Sequence, residues 1–197
     1  MIVNDYVIER YADLRGADLC GVNFEKVDLA GANLAGADLS YANLKGANLH
    51  RANLESANLA SADLRGADLS YADLRRANLY GVNLDDAILK GANFRRANLQ
   101  SASLVNVKLN NVMFNGANLI EIKLSKADLT GANLDYSCFP LWCGSLDVKI
   151  DQRIAAQLMF HFVRCNCDDP LVNKVKELII ESGLPQKFHR FEECGGL

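Results

Sequence analysis

Residues 12–51 read ADLRGADLCGVNFEKVDLAGANLAGADLSYANLKGANLHR, which is eight five-residue units with one shared pattern. Starting at Leu14 and stepping by five, every position through Phe139 is Leu or Phe, 26 in succession. Two residues before each one stands a small or apolar residue, Ala in 19 units and Val, Ile or Ser in the others. The residue directly before it is Asp or Asn in 20 of the 26 units. A repeat this long has to be explained before any single helix or strand is predicted.

A period of five fits neither regular secondary structure. In an α-helix, five steps of about 100° would scatter the leucines around the axis, so no apolar stripe would form. In a flat strand, odd spacing would send successive leucines to opposite faces. A chain that turns a corner every five residues directs every Leu and every small residue toward one common axis. The sequence therefore predicts a solenoid.

The residues at the predicted corners suit tight turns. Asp and Asn hydrogen-bond to nearby backbone, and Gly relieves steric limits there. Gly stands two residues after the Leu or Phe in ten units. Ala at the second inward position lets the walls of the solenoid approach closely.

The units ADLRG, ANLAG, ADLSY and ANLKG resemble the A(D/N)LXX unit of the pentapeptide-repeat family. The resemblance covers Ala12 to Leu141, two thirds of the chain. It implies an all-β solenoid, a right-handed quadrilateral β-helix with one pentapeptide on each side and 20 residues per coil. The 26 units would then form about six and a half coils.

Stacking of coils places residues 20 apart on top of one another. We expect a core ladder through Leu54, Leu74, Phe94 and Phe114, with Phe94 directly against Phe114. The segment from Ile88 to Lys123 holds five of the six departures from Asp or Asn. There we expect distorted corners and a locally wider coil.

Both ends of an open β-helix need covers, because each exposes unpaired backbone and an apolar cross-section. Residues 1–11 are predicted to form an N-terminal cap, 12–141 the β-helix, and 142–197 a small α-helical C-terminal cap. Helical spacing predicts one helix from Asp151 to Arg164 and a second from Pro170 to Gly183. Their surplus apolar surface predicts a homodimer formed through this C-terminal region.

Composition limits the function classes. The chain has 197 residues, 21 Lys and Arg against 24 Asp and Glu, and a formal charge of -3. This weak negative charge argues against direct nucleic-acid binding. The chain lacks an apolar run long enough to span a membrane, and its first ten residues lack an export pattern, so we expect a cytoplasmic protein with reduced thiols.

Cysteines and histidines concentrate near the C-terminus, at Cys138, Cys143, His161, Cys165, Cys167, His189 and Cys194. Zinc is conceivable, but these spacings are not the paired CxxC arrangement of common structural sites. An enzyme using Cys165 or Cys167 beside His161 lacks a recognisable oxyanion hole or orienting carboxylate. We favour buried thiols, and we predict no catalytic residues, no metal and no cofactor.

Four arginines, Arg75, Arg76, Arg95 and Arg96, occupy outward positions in units 20 residues apart. The fold would stack them into one basic patch, which could bind a carboxylate-bearing or phosphate-bearing partner, since Arg forms bidentate contacts with both. The alternative is a solvated face, with Glu55 next to Arg75 on the same ladder.

The favoured function is a non-enzymatic protein-interaction scaffold, and the resemblance implies a bacterial host. The alternative also comes from the resemblance: some pentapeptide-repeat proteins imitate duplex DNA, bind DNA gyrase and protect it from quinolones. Such mimicry would use the acidic residues Glu55, Asp85, Asp86 and Asp135. The chain departs from that type in its weak net charge, its stacked arginines and its lack of an inserted loop.

Overall fold

The computed structural model describes residues 2–135 and 137. Parallel β-bridges join residues 20 apart in unbroken succession, from Asp13 with Asn33 to Met113 with Asn133. Four five-residue units therefore complete each coil, and each unit forms one side. The constant spacing of 20 leaves no inserted loop between residues 13 and 133. At about 4.8 Å per coil, these six coils extend roughly 30 Å.

Each side is held to the next coil by backbone hydrogen bonds. In the unit that contains Leu54, the Leu54 N–H donates to Asp73 O at 2.7 Å, and the Ser56 N–H donates to Arg75 O at 2.8 Å. The Ala57 N–H closes the corner on Leu54 O at 3.0 Å. Backbone pairing between coils therefore satisfies the polar groups of the wall.

Every corner has a left-handed residue two positions after the Leu or Phe, from Gly16 to Gly131. Ten of these corners hold Gly, such as Gly66 with φ 65°. The others hold residues with side chains, such as Arg76 with φ 58°. Because a Cβ disfavours this conformation, glycine is the natural replacement at any of these corners.

The Asp or Asn before each Leu supports the wall in two ways. Asn53 Oδ1 accepts a hydrogen bond from the Glu55 N–H at 3.1 Å, within the same unit. Asn53 Nδ2 donates to Asn33 Oδ1 at 3.1 Å, one coil earlier. The turn residue predicted from sequence is therefore also part of a side-chain ladder along the rod.

The core lies on the coil axis. Every Leu and Phe of the repeat from Leu14 to Leu134 is at most 3% exposed. The rings of Phe94 and Phe114 stack with centroids 5.2 Å apart and an angle of 16° between planes. Leu54 and Leu74 lie below them in the same ladder and are fully buried.

A short hairpin precedes the first coil. Strand β1, Ile2–Val3, pairs antiparallel with strand β2, Tyr6–Val7. The two turn residues between them, Asn4 and Asp5, have φ of 47° and 65°, which is the left-handed geometry of a tight two-residue turn. Val3 and Tyr6 pack against the core, and Ile8 is buried within it.

One wall of the coil is partly open. Between residues 86–91 and 106–111, the hydrogen bonds that the pattern would draw from Leu89 N to Lys108 O and from Gly91 N to Asn110 O are absent. Ile88 and Lys108 remain bridge partners. The bonds from Lys108 N to Ala87 O and from Asn111 N to Thr130 O are absent as well. This opening lies within the segment from Ile88 to Lys123, where a wider coil was expected, and we call it the crevice.

The predicted C-terminal helices at 151–164 and 170–183 lie outside the described residues, as does Phe139, the last Leu or Phe position of the repeat. In the part of the chain that the structure describes, no helix has the length and apolar character required to cross a membrane.

Candidate functional site

The four predicted arginines come together on one wall, and we call Arg75, Arg76, Arg95 and Arg96 the arginine patch. Arg75 and Arg95 directly follow core residues of stacked units, and Arg76 and Arg96 occupy the adjoining corners, with φ of 58° and 59°. The four side chains surround a depression of about 400 Å³, which Glu55, Asn115 and Gly116 also line.

Arg75 is paired within the protein. Its Nε donates to both carboxylate oxygens of Asp73 at 2.9 Å. Its terminal amino group lies 2.7 Å from Asp73 Oδ2 and 3.0 Å from Glu55 Oε2. The hydrogen bond and charge of Asp73, with a further contribution from Glu55, raise the pKa of Arg75. This guanidinium is thus held in place by two carboxylates.

The other three arginines of the patch differ from Arg75 in lacking an acidic partner among the described residues. Among residues 2–135, no carboxylate lies within ion-pair distance of Arg76, Arg95 or Arg96. Arg95 Nε makes one long hydrogen bond, 3.4 Å, to Asn115 Oδ1. Stacked guanidiniums about one coil apart, roughly 5 Å, repel one another within the screening length of physiological salt. A bound anion would relieve that repulsion.

The arrangement is suited to binding an anion. Guanidiniums grip carboxylates and phosphates with paired N–H donors. The residues that line the depression are Arg, Glu, Asn and Gly, so this lining supplies neither a histidine base nor a serine or cysteine nucleophile. Its chemistry is recognition through charge and hydrogen bonds.

Three of the acidic residues considered for DNA mimicry are engaged with neighbours. Glu55 accepts from Arg75, and Asp85 Oδ1 accepts from the Ser103 hydroxyl at 2.6 Å and the Val105 N–H at 2.8 Å. Asp86 accepts from Asn106 Nδ2 at 2.6 Å. Their carboxylates stabilise the coil itself, so they are less available to a partner.

The C-terminal cysteines and histidines weighed as zinc ligands or catalytic groups all lie outside the described residues. Within those residues, no group of three or more His, Cys, Asp or Glu side chains could hold a metal ion. Cys20 is an exposed free thiol whose Sγ accepts a 3.4 Å hydrogen bond from Ser40 Oγ.

Sequence reasoning paired Arg75 with Glu55 but missed Asp73, which lies two residues earlier in the same unit. The available signal was an Asp two residues before an Arg, which also occurs at Asp13 with Arg15 and at Asp63 with Arg65. Both of those pairs make the same contact in the structure. The crevice residues were expected to be distorted but were not considered as a site. A break in the Asp/Asn ladder at Ile88 and Lys108, in successive coils, was the available signal.

A family model described as "Pentapeptide repeats" matches the chain in 8 copies, over residues 12–51, 47–86, 77–116 and 114–140. The chain belongs to the pentapeptide-repeat family. Membership implies the right-handed quadrilateral β-helix, and the four-sided coil of 20 residues agrees with it. No curated protein matches the chain.

Solved structures similar to this pentapeptide-repeat protein include HetL of the cyanobacterium Nostoc sp. strain PCC 7120, which is involved in the regulation of heterocyst differentiation. HetL is 43% identical over 64% of this chain and 61% of its own length, with a TM-score of 0.44. A pentapeptide repeat protein from the Arabidopsis thaliana thylakoid lumen is 35% identical over 46% of this chain and 66% of its own, with a TM-score of 0.39. The chain thus spans about six tenths of HetL.

QnrB1, a plasmid-mediated fluoroquinolone resistance protein, is 20% identical over 81% of this chain and 95% of its own, with a TM-score of 0.39.

Proposed function

We propose that this pentapeptide-repeat protein is a non-enzymatic interaction scaffold, and that its arginine patch docks an acidic segment of a partner protein. The observation that carries this proposal is the set of three guanidiniums, those of Arg76, Arg95 and Arg96, that surround one depression without a carboxylate partner among residues 2–135. Arg75, fixed by Asp73 and Glu55, forms one edge of the site.

The rigidity of the coil supports this role. Backbone bonds of 3.0 Å join Arg76 N to Arg95 O and Arg96 N to Asn115 O, so successive arginines are spaced by the solenoid and not by a mobile loop. A rigid array loses less entropy when it binds than a flexible one does. HetL is involved in regulating differentiation, and a regulatory role is in keeping with a binding protein.

The corner positions provide substitutions that remove charge without disturbing the fold. Arg76→Gly and Arg96→Gly together remove two guanidiniums and place glycine at left-handed corners. Arg51→Gly is the matched control, because Arg51 is also exposed at a left-handed corner, with φ 57°, but does not line the depression.

The test is the affinity of a fluorescently labelled oligoglutamate peptide, measured by anisotropy at two salt concentrations. We expect the double variant to bind roughly tenfold more weakly than Arg51→Gly, and binding to weaken as salt rises. Equal affinity for the double variant and the control would contradict the docking role of the patch.

The gyrase-binding alternative requires accessible acidic side chains. Glu55, Asp85 and Asp86 already accept hydrogen bonds within the coil, and the arginine patch opposes docking of a DNA-binding surface on its wall. We therefore expect neither inhibition of gyrase supercoiling nor protection from a quinolone at micromolar protein. Salt-sensitive protection of gyrase from the quinolone would favour the DNA-mimic function over the scaffold function.

The proposed scaffold is a cytoplasmic bacterial homodimer that assembles through the C-terminal region. Surplus apolar residues in the predicted C-terminal helices support this assignment, since such surface is stable only when covered. Light scattering of the full chain should give twice the monomer mass. A monodisperse monomer would rule the dimer out.

A further inference from the structure

The crevice forms a cavity of about 610 Å³ on the side of the coil that precedes the arginine patch along the chain. Its size falls within the range of small-molecule sites. Polar, charged and apolar groups all contribute to its walls, which consist of Asp86, Ala87, Ile88, Leu89, Lys90, Asn106, Lys108, Asn110 and Asn111.

Several backbone donors at the crevice lack the partners that the repeat pattern would give them, among them the N–H groups of Leu89, Gly91, Lys108 and Asn111. One coil earlier on the same side, the Leu69 N–H donates to Ile88 O at 2.9 Å and the Tyr71 N–H donates to Lys90 O at 2.8 Å. The equivalent N–H groups of Leu89 and Gly91 make no hydrogen bond within the part of the chain that the structure describes. Unpaired backbone donors at a wall are costly unless water or a ligand accepts from them.

The opening has a cause in the sequence. Ile88 and Lys108 replace Asp or Asn in units that stack in successive coils, so neither the Lys90 N–H nor the Asn110 N–H has the usual side-chain acceptor. Val107 replaces the usual inward alanine and stacks on Ala87. Ala87 is 5% exposed although Ala67, one coil earlier, is fully buried.

Neither change opens the wall alone. Val82 is also an inward valine, yet the Ser103 N–H above it donates to Val82 O at 2.9 Å. Ser103 lacks an Asp or Asn side chain, but Asp85 from the previous coil accepts from both Ser103 and Val105. The crevice arises where the ladder residue is missing twice, an inward valine is added, and no neighbouring carboxylate compensates.

The chemistry of the crevice favours an anion with an apolar part. Lys90 and Lys108 line the crevice together with Leu89 and contribute positive charge to it. The single lining carboxylate, Asp86, is engaged by Asn106 Nδ2 at 2.6 Å. Ile88, 53% exposed, supplies apolar surface at the rim.

We propose that the crevice binds a small carboxylate that carries an alkyl chain. The carboxylate accepts a hydrogen bond from the Leu89 N–H, and Lys90 and Lys108 neutralise its charge. The alkyl chain lies against Ile88. This site is separate from the arginine patch, and the proposal does not depend on the scaffold function.

The test uses octanoate as the probe and the full chain labelled with ¹⁵N. We expect octanoate to shift the amide resonances of Leu89, Lys90 and Gly91 in a saturable manner at millimolar concentration. Octylamine, with the same chain and the opposite charge, should not shift them. Shifts that are equal with both probes, or that never saturate, would overturn the proposal.

Two variants make the test specific. Ile88→Asn with Lys108→Asn restores the ladder residue in both units, so it should close the wall, raise Tm and weaken octanoate binding by roughly tenfold or more. Lys45→Asn removes one exposed charge elsewhere and should bind octanoate as the unmodified chain does. Unchanged binding by the restored-ladder variant would contradict the assignment.

Arg76→Gly with Arg96→Gly separates the two anion sites. We expect this variant to bind octanoate as the unmodified chain does, because it leaves the crevice intact. Loss of octanoate binding in this variant would show that the arginine patch is the site, and would overturn the proposal.

Discussion

Two stretches on the same side of the coil differ in how their walls are closed. Where Asn48 and Asp68 occupy the ladder position, the Leu49 N–H donates to Asp68 O at 2.7 Å and the Arg51 N–H to Ser70 O at 2.9 Å. Two coils later, between 86–91 and 106–111, the corresponding bonds are missing.

The core is the same in both stretches. Leu89 and Leu109 are as fully buried as Leu49 and Leu69. Burial of leucines on the axis therefore holds the coil together without fixing the spacing of its walls. The Asp/Asn ladder supplies that second constraint, through bonds such as Asn48 Nδ2 to Asp28 Oδ1 at 3.0 Å.

The largest expected effect tests the shared core. Inserting one residue between Gly66 and Ala67 would move all later leucines off the axis, because inward positions recur only every five residues. We expect loss of soluble folded protein, measured by circular dichroism and solubility. Soluble protein with unchanged Tm would contradict the repeat register.

The next largest effect is expected from a single buried charge in a coil whose walls are fully hydrogen-bonded. Leu54→Lys places an ammonium at a fully buried position, so it loses about 2 kcal/mol of apolar burial and adds a desolvation cost of several kcal/mol. We expect a loss of more than about 4 kcal/mol in the free energy of unfolding, measured by urea denaturation. Arg51→Gly, three residues away at an exposed corner, should keep the stability of the unmodified chain or raise it slightly.

Exchanging the ladder residue between the two stretches should change stability in opposite directions. Asn48→Ile removes the bond to Asp28 and the acceptor for the His50 N–H, so we expect a loss of about 2 kcal/mol. Ile88→Asn should gain about 1 kcal/mol by supplying an acceptor for Lys90 N and a donor toward Asp68. Urea denaturation of both variants measures the pair, and a loss of stability in both would contradict the ladder's role.

A smaller effect depends on pH. The hydrogen bond from Arg65, reinforced by its charge, lowers the pKa of Asp63. The folded-state pKa of Asp63 is therefore below its unfolded-state pKa. The stability that the Asp63–Arg65 pair contributes is present above the unfolded-state pKa and is lost as the pH falls through the folded-state pKa. Asp63→Asn, which places the common ladder residue there, should show a smaller fall in Tm below about pH 4 than the unmodified chain. Identical acid profiles would contradict the contribution of this pair.

Much of this architecture follows from residues that repeat. The spacing of Leu14 through Leu134 predicts an inward row, and stacking by 20 predicts Phe94 against Phe114, because both depend on backbone register alone. The crevice was predicted only as a broad distortion from Ile88 to Lys123. Register identifies neighbours, but it does not show that Asp85 reaches Ser103 to repair one defect while the neighbouring side lacks such a carboxylate.

Amide hydrogen exchange tests most directly whether the ladder, and not the core, closes the walls. Leu49, Arg51, Leu69 and Tyr71 donate to the next coil, whereas Leu89 and Gly91 lack such acceptors within residues 2–135 and 137. We predict that the amides of Leu89 and Gly91 exchange at least roughly a hundredfold faster than the other four, although Leu49, Leu69 and Leu89 are equally buried. Equal protection at Leu69 and Leu89 would contradict the account.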